Sequence, residues 1–219
     1  MEIKVMANIL EANEAMAAQV GKRLLSKGVF ALNLMGAPGC GKTALLEHTI
    51  AALRRELRIA VIEGDLYTDR DARRIEMQGA PVVQINTAGG CHLDANMVNI
   101  ALDCLDLEDL DIVIIENVGN LVCPAEFDIG EQARVTVLSI TEGEDKPQKY
   151  PLIFREADAV VLNKIDLLPF TDFNLPSAIN DLTTMNGAAS VLAVSCRTGE
   201  GLDDWYDWLR AQVKKQARC

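Results

Sequence analysis

Residues Gly36 to Thr43 read GAPGCGKT, a complete G-x-x-x-x-G-K-[ST] loop directly after an apolar run and directly before a helical pattern. Glycines in such a loop let successive backbone N–H groups turn inward around phosphate oxygens, and the following helix presents its positive end to the same oxygens. Lys42 then reaches the β and γ phosphates and Thr43 offers a hydroxyl to magnesium, while Gly36, Gly39, Cys40, Gly41 and Ala44 complete the nucleotide-binding stretch. Cys40 fills a variable position, and no chemical role falls to its thiol. Far downstream, Asn163-Lys164-Ile165-Asp166 follows the apolar run DAVVL. A carboxylate at Asp166 accepts two hydrogen bonds from the N1–H and 2-amino edge of guanine, which adenine lacks, and the Lys164 stem covers the base. The loop SCRTGEG supplies Ser195 and Cys196 as further base contacts, although Cys196 equally suits a small filler. These residues together predict a chain that binds GTP with Mg2+ and hydrolyses it to GDP and phosphate.

Hydrolysis also needs acids that organise the metal and the attacking water. Asp65, after RIAVIEG, and Glu116, at the end of DIVIIEN, stand at strand ends beside the loop, where such carboxylates must sit. Lys42, Asp65 and Glu116 are thus the catalytic candidates, and Thr43, Asp65 and Glu116 the magnesium candidates. Asp69 and Asp71 are weaker, because acids in a first helical turn favour the helix dipole without any catalytic duty.

A second chemistry is suggested by Cys91-His92 and Cys123, two thiols and an imidazole of the kind that bind zinc or nickel. Three donors per chain leave an open position, to be filled by water or by a second copy of the chain. Spacing alone leaves open ordinary buried cysteines and one loop histidine. His48 reads as a solvated helix residue, Cys104 as core within IALDCLDL, and Cys219 as a dangling terminal thiol.

The elements that must position these residues follow from periodicity. Helical spacing of Ile9, Met16, Val20 and Leu24 predicts an N-terminal helix from Asn8, a capping residue, to Lys27, with Gly28 ending it. Seven apolar runs follow: VFALNLM, RIAVIEG, PVVQI, DIVIIEN, ARVTVLSI, DAVVLNK and SVLAVS. Helices are expected from Thr43 to about Leu57, from about Leu93, and from Asp203 to Lys214. Runs this apolar, separated by helices, predict an α/β fold with a mostly parallel, doubly wound sheet buried on both faces. TEGEDKPQKYP is the most loop-like insertion. With no repeat and no dividing linker, residues 1–219 are expected to form one domain, residues 1–28 being its helical extension.

Composition narrows the functions. With 21 Lys and Arg against 32 Asp and Glu, the net charge of -11 repels a phosphate backbone, so nucleic acid is not an expected partner. No run is long and apolar enough for a membrane span, and the acidic N-terminus is unlike a signal peptide. A cytoplasmic protein is expected, its six cysteines reduced.

GVFALNLMGAPGCGKT, CHLDA, ENVGNLVCPAEFD, TEGEDKPQKYP and NKIDLL together resemble the HypB family, the nickel-inserting GTPases of hydrogenase maturation, from about Asn8 to the last helix. CHLDA and ENVGNLVCP are specific to that family, whereas the phosphate loop and NKID are shared across GTPases. The resemblance implies a P-loop NTPase of the SIMIBI type. It further implies metal bound by Cys91, His92 and Cys123 between two subunits, a homodimer coupled to nucleotide state, and nickel delivery to a hydrogenase large subunit together with the accessory protein HypA. The N-terminus has neither the cysteine-rich motif nor the histidine-rich tract of some members, so nickel storage at that end is not expected. The nearest alternative is a related GTPase serving urease or a cobalamin enzyme, and a urease GTPase would show a Cys-Pro-His cluster, where this chain has Cys91-His92 with Cys123 elsewhere. A small-molecule P-loop kinase has no need of NKID, and a plain metal carrier would not turn over GTP.

Overall fold

The computed structural model describes residues 2–66 and 69–216. All seven apolar runs form strands: β1 (Phe30–Gly36), β2 (Ile59–Asp65), β3 (Val82–Asn86), β4 (Ile112–Glu116), β5 (Ala133–Ser139), β6 (Ala159–Asn163) and β7 (Ser190–Ala193). They make one parallel sheet in the order β3-β2-β4-β1-β5-β6-β7. Because β1 lies between β4 and β5, the chain leaves it toward one side of the sheet and later fills the other. The carboxyl end of β1 is therefore the switch point at which open α/β sheets bind ligands.

Helices cover both faces. On one, α2 (Lys42–Leu53), α3 (Arg70–Met77) and α9 (Leu202–Gln216) pack on Phe30, Leu32, Leu34, Val61 and Ile114. On the other, α1 (Glu2–Ser26) and α4 (Ala95–Leu102) enclose Ala31, Ile62, Val113 and Ile115 through Val20, Leu24, Val98 and Leu102. Beside them α5 (Cys123–Glu126), α7 (Pro151–Arg155) and α8 (Leu175–Met185) cover Leu138, Val160 and Leu162. No helix among the described residues is long and apolar enough to cross a membrane.

Several boundaries differ from those expected. The first helix starts at Glu2, so Asn8 lies inside it and is not its cap. The residues before Asn8 include neither glycine nor proline, and nothing in them stops a helix. The helix after the phosphate loop ends at Leu53, where Glu56 N–H bonds to Leu53 C=O in a tightened turn that delivers the chain to β2. TEGEDKPQKYP is not an open loop. It carries a 3₁₀ turn, Ile140–Glu142, then α6 (Lys146–Lys149), and leads into α7, with Pro147 and Pro151 in the first helical turns that proline favours. Cys104 is exposed rather than core, because α4 has already ended at Leu102. His48 is half-buried on α2, and Cys219 lies outside the described residues.

The phosphate-loop helix is anchored from behind. Trp205 on α9 is fully buried, and its indole N–H donates to Thr49 Oγ1 at 2.8 Å, while that hydroxyl donates to Leu45 C=O. Trp205→Phe removes the donor and part of the ring, and an expected loss of about 1–2 kcal/mol should be seen in urea unfolding. Unchanged stability would mean that α9 does not brace α2.

Candidate functional site

β1 delivers its chain into the phosphate loop, and α2 leaves from it. Lys42 is buried, and its Nζ donates to Gly36 C=O at 3.2 Å and Ala37 C=O at 3.5 Å, so its charge rests inside the curve of the loop. Thr43 Oγ1 donates to Glu116 Oε1 at 2.9 Å. Lys42, Thr43, Asp65 and Glu116 all line one cleft of about 410 Å³, together with Gly39, Gly41 and Ala44. Gly36 does not line it, although its carbonyl accepts Lys42, and Cys40 is buried in the core behind the loop. Burial pushes the Cys40 thiol up to about 11 despite nearby Lys42, which leaves it protonated and unreactive at neutral pH.

Asp71 also lines this cleft and bonds to Arg74, whereas Asp69 does not line it and is paired with Arg73 on the surface. Sequence reasoning passed over Glu63. It sits on β2 in register with Glu116 on β4, is 3% exposed, and lines the same cleft. The signal was available in period two, since Ile59, Val61 and Glu63 share a face and only the last is not apolar. Burial, then Glu116 and Asp65, push Glu63 up to about 8. Burial likewise pushes Glu116 to about 7, with Lys42 pulling it down.

The downstream motif is wired to this loop. Asn163 Nδ2 donates to Cys40 C=O at 2.9 Å, and Lys164 Nζ donates to Gly39 C=O at 2.7 Å. Gly41 is required here: its φ is +105°, and a Cβ would lie 2.3 Å from Asn163 Nδ2. Lys164 holds a left-handed φ of 68°, fixed by its N–H to Asn163 Oδ1 at 2.7 Å. Ser195 is buried and donates to Asp166 Oδ1 at 2.6 Å, while its oxygen accepts the N–H groups of Arg197 and Thr198. Asp166, Asn163, Lys164 and Cys196 line a second cavity of about 320 Å³ that shares Gly41 and Ala44 with the first. Cys196 N–H points to Asn163 Oδ1, and burial raises its thiol to about 11. A phosphate cradle thus opens onto a pocket whose wall carries a carboxylate.

Cys91, His92 and Cys123 come together although they follow different strands. Their donor atoms lie within 4.8 Å of one another, with the two Sγ atoms 2.8 Å apart and Cys91 Sγ 3.6 Å from His92 Nδ1. His92 stacks on Phe127 at 3.9 Å, and its burial lowers its pKa, which keeps a ring nitrogen free to ligate at neutral pH. The group is at the surface, Cys91 being exposed and the other two half-buried.

Asn120, also missed from the sequence, joins the two sites. Its backbone N–H donates to Gly36 C=O at 3.1 Å, its side-chain amide donates to Cys91 C=O at 3.3 Å, and its Oδ1 takes Val122 N–H at 2.9 Å beside Cys123. The preceding Gly119 lies so close to the phosphate loop that a Cβ would stand 2.9 Å from Pro38 Cα.

Residues 30–193 match the family model described as CobW/HypB/UreG, nucleotide-binding domain. The chain is 51% identical to the hydrogenase maturation factor HypB of Rhizobium leguminosarum bv. viciae, covering 98% of this chain and 72% of that protein. Among solved structures it is similar to the hydrogenase maturation factor HypB of Archaeoglobus fulgidus, with a TM-score of 0.88, 38% identity, and coverage of 93% of this chain and 100% of that one. It is also similar to HypB from Helicobacter pylori in complex with nickel, with a TM-score of 0.89, 37% identity, and coverage of 94% and 97%.

Proposed function

The chain belongs to the HypB family of P-loop GTPases, and from that premise we propose that it hydrolyses GTP to drive nickel delivery during hydrogenase maturation. Residues 1–219 act as one GTPase domain, with 1–28 as its helical extension. Lys42 and the loop N–H groups hold the phosphates, Asp166 reads guanine, and Asn163, Lys164, Ser195 and Cys196 shape the base pocket. Thr43, Asp65 and Glu116 would hold Mg2+, and the fit rests on hard oxygen donors, with Glu116 Oε2 buried and lacking a hydrogen-bond partner among the described residues. When bound, the ion would supply positive charge against the charge that develops on the phosphate oxygens. An acid of the cleft, Asp65 or Glu116, orients the attacking water. Reaction of that water at the γ phosphorus breaks the bond to the β-bridging oxygen and yields GDP and phosphate.

Cys91, His92 and Cys123 hold the cargo metal, nickel or zinc, at a two-fold interface. An isologous dimer brings the same three donors from each chain to one axis and fills the open position. The dimer, the accessory protein HypA and the hydrogenase large subunit are the partners of this reading, in which reduced thiols and GTP both belong to the cytoplasm. The observation that carries it is Asn120, which bonds to the phosphate loop and to the cysteine segment at once. A γ phosphate that reorders the Glu116–Asn120 segment thereby moves a metal ligand.

The test is metal stoichiometry and oligomeric state for wild type, Cys91→Ala and Cys123→Ala, each with GDP and with a non-hydrolysable GTP analogue. Wild type should dimerise and bind metal most tightly with the analogue, and each variant should lose affinity by about a hundredfold. Binding should weaken as pH falls, because thiols and imidazole must shed protons to ligate. Equal binding by a monomer in both nucleotide states, or retention of metal by both variants, would return the cysteines to packing.

A further inference from the structure

Glu63 has no place in the assignments above, yet it is the costliest residue of the cleft to explain. Along β2 the residues facing α2 are Ile59, Val61 and Glu63, and along β4 they are Ile112, Ile114 and Glu116. Two neighbouring strands therefore change from branched apolar side chains to carboxylates at the same level of the sheet. Both acids are nearly inaccessible, 3% and 4% exposed, and each keeps one buried oxygen, Glu63 Oε2 and Glu116 Oε2, without a hydrogen-bond partner among the described residues. Such a pair is unfavourable by itself, since each carboxylate is desolvated and each repels the other.

Among the described residues neither acid is ion-paired, and Lys42 compensates both only from a distance. Arg74, on the rim, is held by Glu47 and Asp71, and Lys42 is turned to the loop carbonyls. Glu63 makes no ion pair with lysine or arginine among the described residues. The cleft is open to solvent beside Thr43, whose hydroxyl is already aligned with Glu116. A doubly charged ion entering there meets both acids at once. Mg2+ keeps several water molecules when it binds protein and nucleotide, so it needs acceptors around its shell as well as direct ligands.

We infer that Glu63 is a positioning residue for the nucleotide's divalent cation, accepting hydrogen bonds from the ion's bound water beside Glu116. This rests on the magnesium site proposed above and adds to it an acid from a different strand. The competing reading is purely structural: Glu63 keeps a proton and donates it to Glu116. Glutamine separates the two, because it retains a donor of the same shape and removes the charge.

The experiment uses the full chain loaded with GDP, titrated with Mn2+ followed by electron paramagnetic resonance and with Mg2+ by calorimetry. Glu63→Gln should bind either ion about tenfold more weakly, bind GDP in EDTA as wild type does, and recover GTP turnover when Mg2+ is raised. Glu63→Asp, which keeps the charge at shorter reach, should fall between them, and circular dichroism checks that both fold. Unchanged ion affinity in a folded Glu63→Gln protein, or a turnover defect that Mg2+ does not repair, overturns the inference while leaving the GTP site intact. Failure of wild type to bind GDP more tightly with Mg2+ than without it would overturn the site reading and this inference together.

Discussion

Replacing Lys42 with alanine should lower GTP turnover by about a thousandfold and leave the fold in place. The lysine is buried at the first position of α2, and its Nζ donates to the carbonyls of Gly36 and Ala37. Among the described residues no carboxylate is ion-paired with it, so removal breaks no salt bridge, and alanine is the strongest helix former. The fold therefore loses little. Catalysis loses a preorganised positive charge aimed at phosphates in a partly water-excluded cleft, where charge acts most strongly. A second effect runs the same way: Lys42 pulls the pKa of buried Glu116 down, so its removal favours the protonated acid, which is the poorer ligand for magnesium. Phosphate release measured beside a thermal melt checks both halves. Near-normal turnover by a folded variant would mean that the GAPGCGKT loop is not the active site.

Asp166→Asn should weaken GTP by about a thousandfold and move preference toward xanthine nucleotides. Guanine presents donors at N1 and the 2-amino group, and an amide in place of the carboxylate turns one acceptor into a donor facing them. Xanthine carries an oxygen where guanine carries the amine, and so accepts what the variant offers. The pocket itself should survive. Ser195 holds Asp166 through Oδ1, an acceptor that asparagine keeps, and the same hydroxyl also holds the Arg197 and Thr198 N–H groups. Competition between guanine and xanthine diphosphates gives the answer, and an unchanged guanine preference would remove NKID from the argument.

How much of this was legible in the sequence depended on the range of the signal. Strands buried on both faces announce themselves as apolar runs, so all seven were read, and with them the α/β class. Ends were harder: Asn8 offers a cap, but a cap is used only if the preceding turn fails to form, and here it forms. TEGEDKPQKYP reads as open because it is dense in charge, yet its prolines start short helices as well as loops. At the site, motifs named most of the polar residues that line the two cavities, but the carbonyl contacts that join Asn163 and Lys164 to the loop are long-range and have no local pattern. Glu63 was overshadowed by Asp65 in the same run, although strand alternation singles it out. Closeness of Cys91 to Cys123 depends on loops after β3 and β4 meeting across the intervening β2, which strand order alone determines.

Asn120 has a consequence that can be stated as thermodynamic reciprocity. One residue bonds to Gly36 on one side and to the segments bearing both cysteines on the other. If exchanging GDP for GTP changes metal affinity by some factor, then occupying the metal site must change the ratio of GTP to GDP affinity by that same factor. Cargo is then also an effector. If GTP tightens metal binding, a chain loaded with metal would favour GTP over GDP more than an empty one does, and loss of the metal would relax that bias, so that the cycle would have a direction set by whether there is anything to deliver.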